Sequence, residues 1–322
     1  MSTAPVVRTK AVDSSRDWPL FDRLMLACCW AAGITACVIA FSIVLYMGYK
    51  GLQYLSPSLF TERPNADLDQ SRSGGFFDPL VGTLILTILG TAIAIPVAVA
   101  TAVWLTEYGR PFWLARAVES GVEIIAGTPS IVLAIFGLII FQERVFGFLS
   151  FEAQGGSVFG RSFFTAGAMM ALIALPLIVG STREGLQAIP GHVREASYAL
   201  GKTKAATIRR VLLPSVRAPI STGTALGMGR IAGDTAIVVI LLGASLQLQG
   251  YGGVPGLSVL RGTGSTLTSY VYSNSPAGEG SAPQKAYAAA VVLLVIAIGL
   301  NFIVDMFVRR DPTKAVSAAA RR

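Results

Sequence analysis

Residues 24–49 read LMLACCWAAGITACVIAFSIVLYMGY, 26 positions with no Asp, Glu, Lys or Arg. A helix crosses the hydrocarbon core of a bilayer with about 20 apolar residues, so this run is long enough for one passage. It is too long for a signal-peptide core and no convincing cleavage site follows, so an uncleaved helix is expected. Uncharged stretches recur at 79–106, 124–142, 162–182, 218–229 and 286–304, and the fifth continues past Arg230 and Asp234 to residue 260. They predict an all-α polytopic membrane protein with six transmembrane helices, at about 24–49, 80–105, 122–141, 162–181, 218–243 and 286–308. Pro129 either kinks the third span or marks its entrance.

Composition agrees. Of the 322 residues 53% are hydrophobic and 14% charged, with mean hydropathy +0.62. Average soluble domains carry roughly 25% charged residues, too many for this chain to be one of them. Disorder is excluded by the same apolar excess. A disulfide scaffold is excluded because the three cysteines, Cys28, Cys29 and Cys37, all sit in the first apolar run, where they act as small hydrophobes.

The basic residues set the orientation. The segments 1–23, 106–122, 182–217 and the tail hold 18 Lys and Arg, against seven in 50–75, 142–161 and 244–285. Positive charge accumulates on the cytoplasmic side, so both termini are expected inside. That also accounts for the net charge of +8 without nucleic acid as a partner. The expected organisation is a cytoplasmic segment 1–23, a transmembrane domain 24–308 containing a cytoplasmic loop 182–217, and a tail 309–322. Stretches 250–264 and 273–283, rich in Gly, Ser and Pro, are expected as outer surface loops.

The 182–217 loop carries a spaced pattern. Residues 193–200 have helical spacing with Pro190-Gly191 as entry; Gly201 interrupts them; a second short helix starts at Lys202, and Leu213-Pro214 closes the unit. Gly201-Lys202-Thr203 superficially fits a phosphate loop, but polar residues precede it where a buried strand is needed, and the loop is too short for a nucleotide domain. Arg230 and Asp234 form the second constellation. A charge at mid-span costs about 2.5–3.5 kcal/mol on insertion scales, so an intramembrane pair needs a reason. At i, i+4 on one continuous helix both leave the same face, either as a self-neutralising pair or as part of an anion path. Arg presents a fork of donors suited to phosphate or sulfate oxygens. Asp accepts from a protonated phosphate and repels a fully ionised sulfate. Gly223, Gly227, Gly229 and Gly233 share this span, where small residues permit close helix approach.

The segment Glu195-Ala196-Ser197, three residues, Gly201, nine residues, Val211, one residue, Leu213-Pro214 resembles the EAA loop of ABC-importer permeases. The family has Ala where Ser197 stands and Ile where Val211 stands; every spacing matches. Ser58-Leu-Phe-Thr61, Gly74-Gly75, Val81-Gly82-Thr83, Leu105-Thr-Glu107-Tyr108-Gly109, Gly127-Thr-Pro129-Ser130-Ile131-Val132 and Leu175-Pro176 are similar, in order, to segments of phosphate-uptake permeases. Gly229-Arg230-Ile-Ala-Gly233-Asp234-Thr235 is similar to their Arg-x-x-Gly-Glu-Thr signature, with Asp234 one methylene shorter. Members often carry a basic residue near the position of Gly180; here the nearest is Arg183.

The resemblance is closest to the PstA branch, with the PstC branch the near alternative. It implies a type I importer permease core in the cell (inner) membrane, without its own ATPase domain, cofactor or metal. Phosphate would be imported along a path containing Arg230 and Asp234. Two PstB-like ATPase subunits would dock at Glu195, Ala196, Ser197, Gly201, Leu213 and Pro214. The other implied partners are a PstC-like sister permease, an extracytoplasmic phosphate-binding protein and the lipid bilayer. A permease for sulfate, molybdate or a phosphonate is the alternative, followed by a secondary transporter, against which stands the absence of a detectable repeat. An intramembrane enzyme is disfavoured: His192 is the only histidine, it lies in the cytoplasmic loop, and no metal or Ser-His motif lies in the spans.

Overall fold

A computed structural model describes residues 19–64, 74–150, 159–243, 248, 257–275 and 282–309. Most of the expected terminal segments, much of the 250–264 and 273–283 stretches and the far end of the fifth uncharged run lie outside the described residues. The described residues are almost wholly helical, with no strand among them. The chain divides into two units, 1–49 and 50–322.

Unit one holds most of helix α1 (Leu20–Gln53). Trp30, Ile34, Val38, Phe41 and Leu45 are all exposed, an apolar surface suited to lipid rather than water.

Unit two is built around α2 (Phe77–Val103), α5 (Phe163–Gln187) and α9 (Arg217–Gly233). α2 places Ala94, Ala98 and Ala102 at four-residue intervals, each no more than 1% exposed, so one face is a shallow groove. α5 fills it with Ala166, Met170, Ala174 and Ile178, and α9 adds Ile231. α5 starts at Ser162, whose Oγ accepts from Thr165 N at 3.1 Å while Ser162 N donates to Thr165 Oγ1 at 3.0 Å, a reciprocal cap. Pro96 and Pro176 are carried inside α2 and α5. The last turn of α2 continues as a π-helical turn, Trp104–Tyr108.

Among the described residues, four helices are long and apolar enough to cross a membrane: α1, Phe77–Tyr108, α5 and the stretch Pro283–Val304 of α12 (Pro283–Arg309). A fifth arises if α3 (Phe112–Gly127) and α4 (Ser130–Phe141) count as one span, but they are bent by 113°. The cause is local. Pro129 drives Thr128 out of the helical region to φ −80°, ψ 131°, and is itself extended, so α3 ends and α4 begins at Ser130.

The expected span 218–243 differs more. α9 stops at Gly233, Asp234 is extended at φ −79°, ψ 130°, and a π-helical turn Val238–Leu242 follows. The expectation that 250–264 is surface loop is corrected for its last residues. After the short α10 (Leu257–Arg261), residues 262–266 are buried and lead into α11 (Leu267–Asn274). Phe163 N donates to Gly262 O, and Leu267 N to Thr83 Oγ1 at 2.8 Å. Buried backbone needs such partners, and α2 and α5 supply them.

Candidate functional site

The loop after α5 folds as the spacing predicts, with one shift. α6 (Gly191–Ala199) begins after Pro190, and Gly201 turns the chain at φ +72°, a left-handed conformation that side-chain-bearing residues rarely adopt. Gly201 N donates to Tyr198 O and Lys202 N to Ser197 O, closing the turn. Thr203 Oγ1 then accepts from Ala206 N to start α7 (Lys204–Thr207). A π-helical turn Ile208–Leu212 and the short α8 (Leu213–Ser215) follow. Leu213 and Pro214 stand at the end of the unit, as expected. Pro214 sits in α8, which continues the π-helical turn without a break, and the chain breaks two residues later at Val216 (φ −103°, ψ 17°) before α9.

The faces of α6 are sorted. Glu195, Ala196, Tyr198 and Leu200 are exposed, and Leu200 retains 77% of its surface. Ser197 is buried, and its Oγ pairs with Thr207 Oγ1 at 2.8 Å. Leu213 and Pro214 are half-buried. Beneath, Leu186 of α5, Ile208 and Leu212 of the π-helical turn and Val216 form a small core that fixes the end of this loop to α5. His192 is exposed.

Three contacts here were not legible from spacing. Arg194 donates from Nε and Nη2 to Glu107 Oε1 at 3.1 and 2.9 Å, and from Nη1 and Nη2 to Ile189 O and Leu186 O at 2.8 and 2.9 Å. Lys204 Nζ donates to Glu107 O and sits 4.4 Å from the Tyr108 ring centroid. Arg183, the basic residue nearest Gly180, is paired with Glu119 of α3. The signal for Glu107 was present: an acid at the end of an apolar run, beside the most basic loop.

The structure separates Arg230 from Asp234. Because the helix ends between them, the shared-face argument does not hold. Asp234 is 8% exposed; its Oδ1 accepts from Ile237 N at 3.0 Å, and its carbonyl accepts from Thr268 Oγ1 at 3.2 Å. It caps the helical turn that follows. Arg230 is exposed and forms no ion pair among the described residues. Its face of α9 also presents Thr222, Leu226, Gly229 and Gly233. Ser221, Thr222, Ala225, Leu226 and Gly229, with Asn301 and Val304 of α12, line a groove of about 330 Å³.

The four glycines divide likewise. A Cβ on Gly223 would lie 2.9 Å from Ile178 Cα, and one on Gly227 3.2 Å from Ala174 Cβ, so these two let α9 seat on α5. Gly229 and Gly233 have nothing within 4 Å.

A helical core around α2, α5 and α9, apolar outward helices and a two-helix basic loop define a helical membrane protein. The match to the family described as binding-protein-dependent transport system inner membrane component covers residues 94–310. The chain belongs to that family.

A phosphate transport system permease protein PstA from Mycobacterium tuberculosis is 30% identical over 239 residues, 74% of this chain and 72% of that one. A phosphate transport system permease protein PstC from Pasteurella multocida is 34% identical over 189 residues, 55% of this chain and 59% of that one. These relatives are transport permeases and not enzymes. In fold, the chain resembles a bacterial ABC transporter importing the polysaccharide alginate, with TM-score 0.60, 16% identity and coverage of 90% and 98% of the two chains. It also resembles the MetNI methionine ABC transporter, with TM-score 0.50, 21% identity and coverage of 73% and 93%.

Proposed function

We propose that this chain is a transmembrane subunit of an ABC importer that moves inorganic phosphate into the cytoplasm. The carrying observation is the coupling unit: an exposed α6 face with Glu195 and Ala196, a left-handed turn at Gly201, and a small core behind it. Two ATPase subunits dock there, one on this chain and one on a sister permease. Leu213 and Pro214 join this unit to α9. An extracytoplasmic binding protein delivers phosphate. The chain crosses the cell membrane six times, with α3–α4 and α9 with its following turn as the broken spans and both termini inside. The domain limits are those of the sequence: 1–23, 24–308 with the loop 182–217, and 309–322.

Transport follows from differential affinity. ATP binds more tightly to the state in which the two ATPases are closed, so it shifts the permease pair toward an outward-open path, and hydrolysis resets it. Arg230 lies on the small, polar face of α9 that a sister permease covers, and there its guanidinium binds oxyanion oxygens in passing. Asp234 belongs to the path as the residue that breaks the span.

One observation favours a second reading. With Asp234 turned into its cap, nothing acidic among the described residues pairs with Arg230, so an ionised oxyanion such as sulfate is not repelled by that contact. The test is labelled phosphate uptake in membranes containing all partners, with sulfate, molybdate and phosphonate as competitors. Arg230→Ala is expected to lower uptake by a factor of about ten or more. Full uptake with normal coupled hydrolysis would remove Arg230 from the path. Preferential competition by sulfate would move the substrate to the second reading.

A further inference from the structure

Among the described residues, Glu107 is tied to both coupling helices. Arg194 reaches it from α6 with two donors on a single carboxylate oxygen, and the same guanidinium holds the carbonyls of Leu186 and Ile189 at the end of α5. Lys204 reaches its carbonyl from α7 while covering Tyr108. The Glu107 side chain is 6% exposed, so its charge is nearly desolvated and its pairing with Arg194 is geometrically demanding.

Its position along the chain gives the contact a direction. Glu107 ends α2 within a π-helical turn, a backbone irregularity that recurs at functional positions. α2 then runs to Asp78, 2% exposed, whose Oδ2 accepts from Leu248 N at 3.2 Å in the segment facing the other side. Between the ends, α2 meets α5 with Leu86 and Leu89 nearer Asp78 and with Gly90, Ala94, Ala98 and Ala102 toward Glu107, small side chains over which packed helices shift at the Glu107 end. The docking face of α6, with Glu195, Ala196 and Leu200, stays free of these contacts.

We infer that Glu107 is a positioning residue through which displacement of the coupling helices is passed to α2, and thence to the outer end of the permease. This rests on the ATP-driven reading above. An ordinary staple would hold the loop in place and nothing more; a transmission contact makes transport depend on it separately from assembly and hydrolysis.

The experiment uses the complete complex with its binding protein in proteoliposomes, measuring labelled phosphate uptake and ATP hydrolysis together. The variants are Glu107→Gln, Arg194→Gln, both combined, and Lys204→Met, the last at an exposed side chain whose loss leaves the fold intact. Expected are normal subunit ratios, hydrolysis within about twofold of wild type, and phosphate moved per ATP lowered about tenfold in each Glu107 and Arg194 variant. The double variant should fall no further than either single one, because the two groups act as a unit. Lys204→Met should lower the ratio about threefold or more.

An unchanged ratio in all variants would overturn the inference. So would uptake and hydrolysis falling together, or failed assembly of the Glu107 variants beside a fully coupled Lys204→Met. Wild-type proteoliposomes that take up no phosphate on ATP would overturn the functional reading itself and this inference with it, a result distinguishable because it precedes any substitution.

Discussion

Ser197 illustrates how a single departure from a pattern becomes intelligible. Where the EAA pattern has Ala, this chain has a hydroxyl, and Thr207 of α7 meets it at 2.8 Å. Both residues are buried, so removing one partner strands the other. Ser197→Ala should destabilise the chain by about 1–3 kcal/mol, the cost of an unsatisfied buried hydroxyl, and Ser197→Ala with Thr207→Val should recover most of it. Thermal unfolding in detergent measures both; equal midpoints for wild type and the single variant would count against the bond. The two short helices and the turn at Gly201 were legible in the sequence because their spacing reflects local helix-turn-helix geometry. Asp234 was only half legible. Its place inside an apolar run was visible, but a four-residue separation implies a shared face only on an unbroken helix, and the break depends on Asp234 bonding to Ile237 N and Thr268. Glu107 and Arg194, 87 positions apart, meet through tertiary packing that no local pattern encodes.

Among the elements, α9 carries two kinds of glycine that look identical in sequence. Gly223 faces Ile178 Cα and Leu177 O, backbone atoms that cannot yield, whereas Gly229 faces open space. Gly223→Leu should therefore lower the yield of folded chain and its unfolding midpoint when the subunit is produced alone. Gly229→Leu should leave the isolated chain unchanged and instead reduce co-purification with the sister permease. Equal behaviour of the two variants would refute the division of faces. The spans α1, α2, α5 and α12 were readable because each is one long apolar helix. The α3–α4 pair and the fifth span were not, since apolarity reports depth and not continuity. Pro129 gave notice of the first break, and its extended preceding residue is the usual consequence. The buried 262–266 segment was hidden because its Gly, Ser and Thr composition imitates a surface loop, while Gly82 and Thr83 of α2 receive it in the core.

At the scale of the whole molecule, the surface is inverted relative to a soluble protein. α1 exposes nearly its full apolar length, as do the outer faces of α4 and α12, while hydroxyls such as Thr83, Ser162, Thr266 and Ser269 lie inside and bond to one another or to backbone. The asymmetry of Lys and Arg predicts that both termini face the cytoplasm. Epitope tags at either end should survive an impermeant protease added to intact spheroplasts and be lost on lysis; cleavage of one tag before lysis would require an odd number of crossings.

α4 has a consequence beyond its own packing. Its 12 residues rise about 18 Å at 1.5 Å each, while a hydrocarbon core is about 30 Å thick. The 113° bend points α3 away from the axis of α4, so α3 adds no length along it. α4 alone therefore falls short of the core, a hydrophobic mismatch of the kind that thinned lipid or a packed neighbouring helix accommodates. Acyl-chain length is then expected to change the transport rate, which proteoliposomes of defined chain length would measure; equal rates across lengths would count against the mismatch.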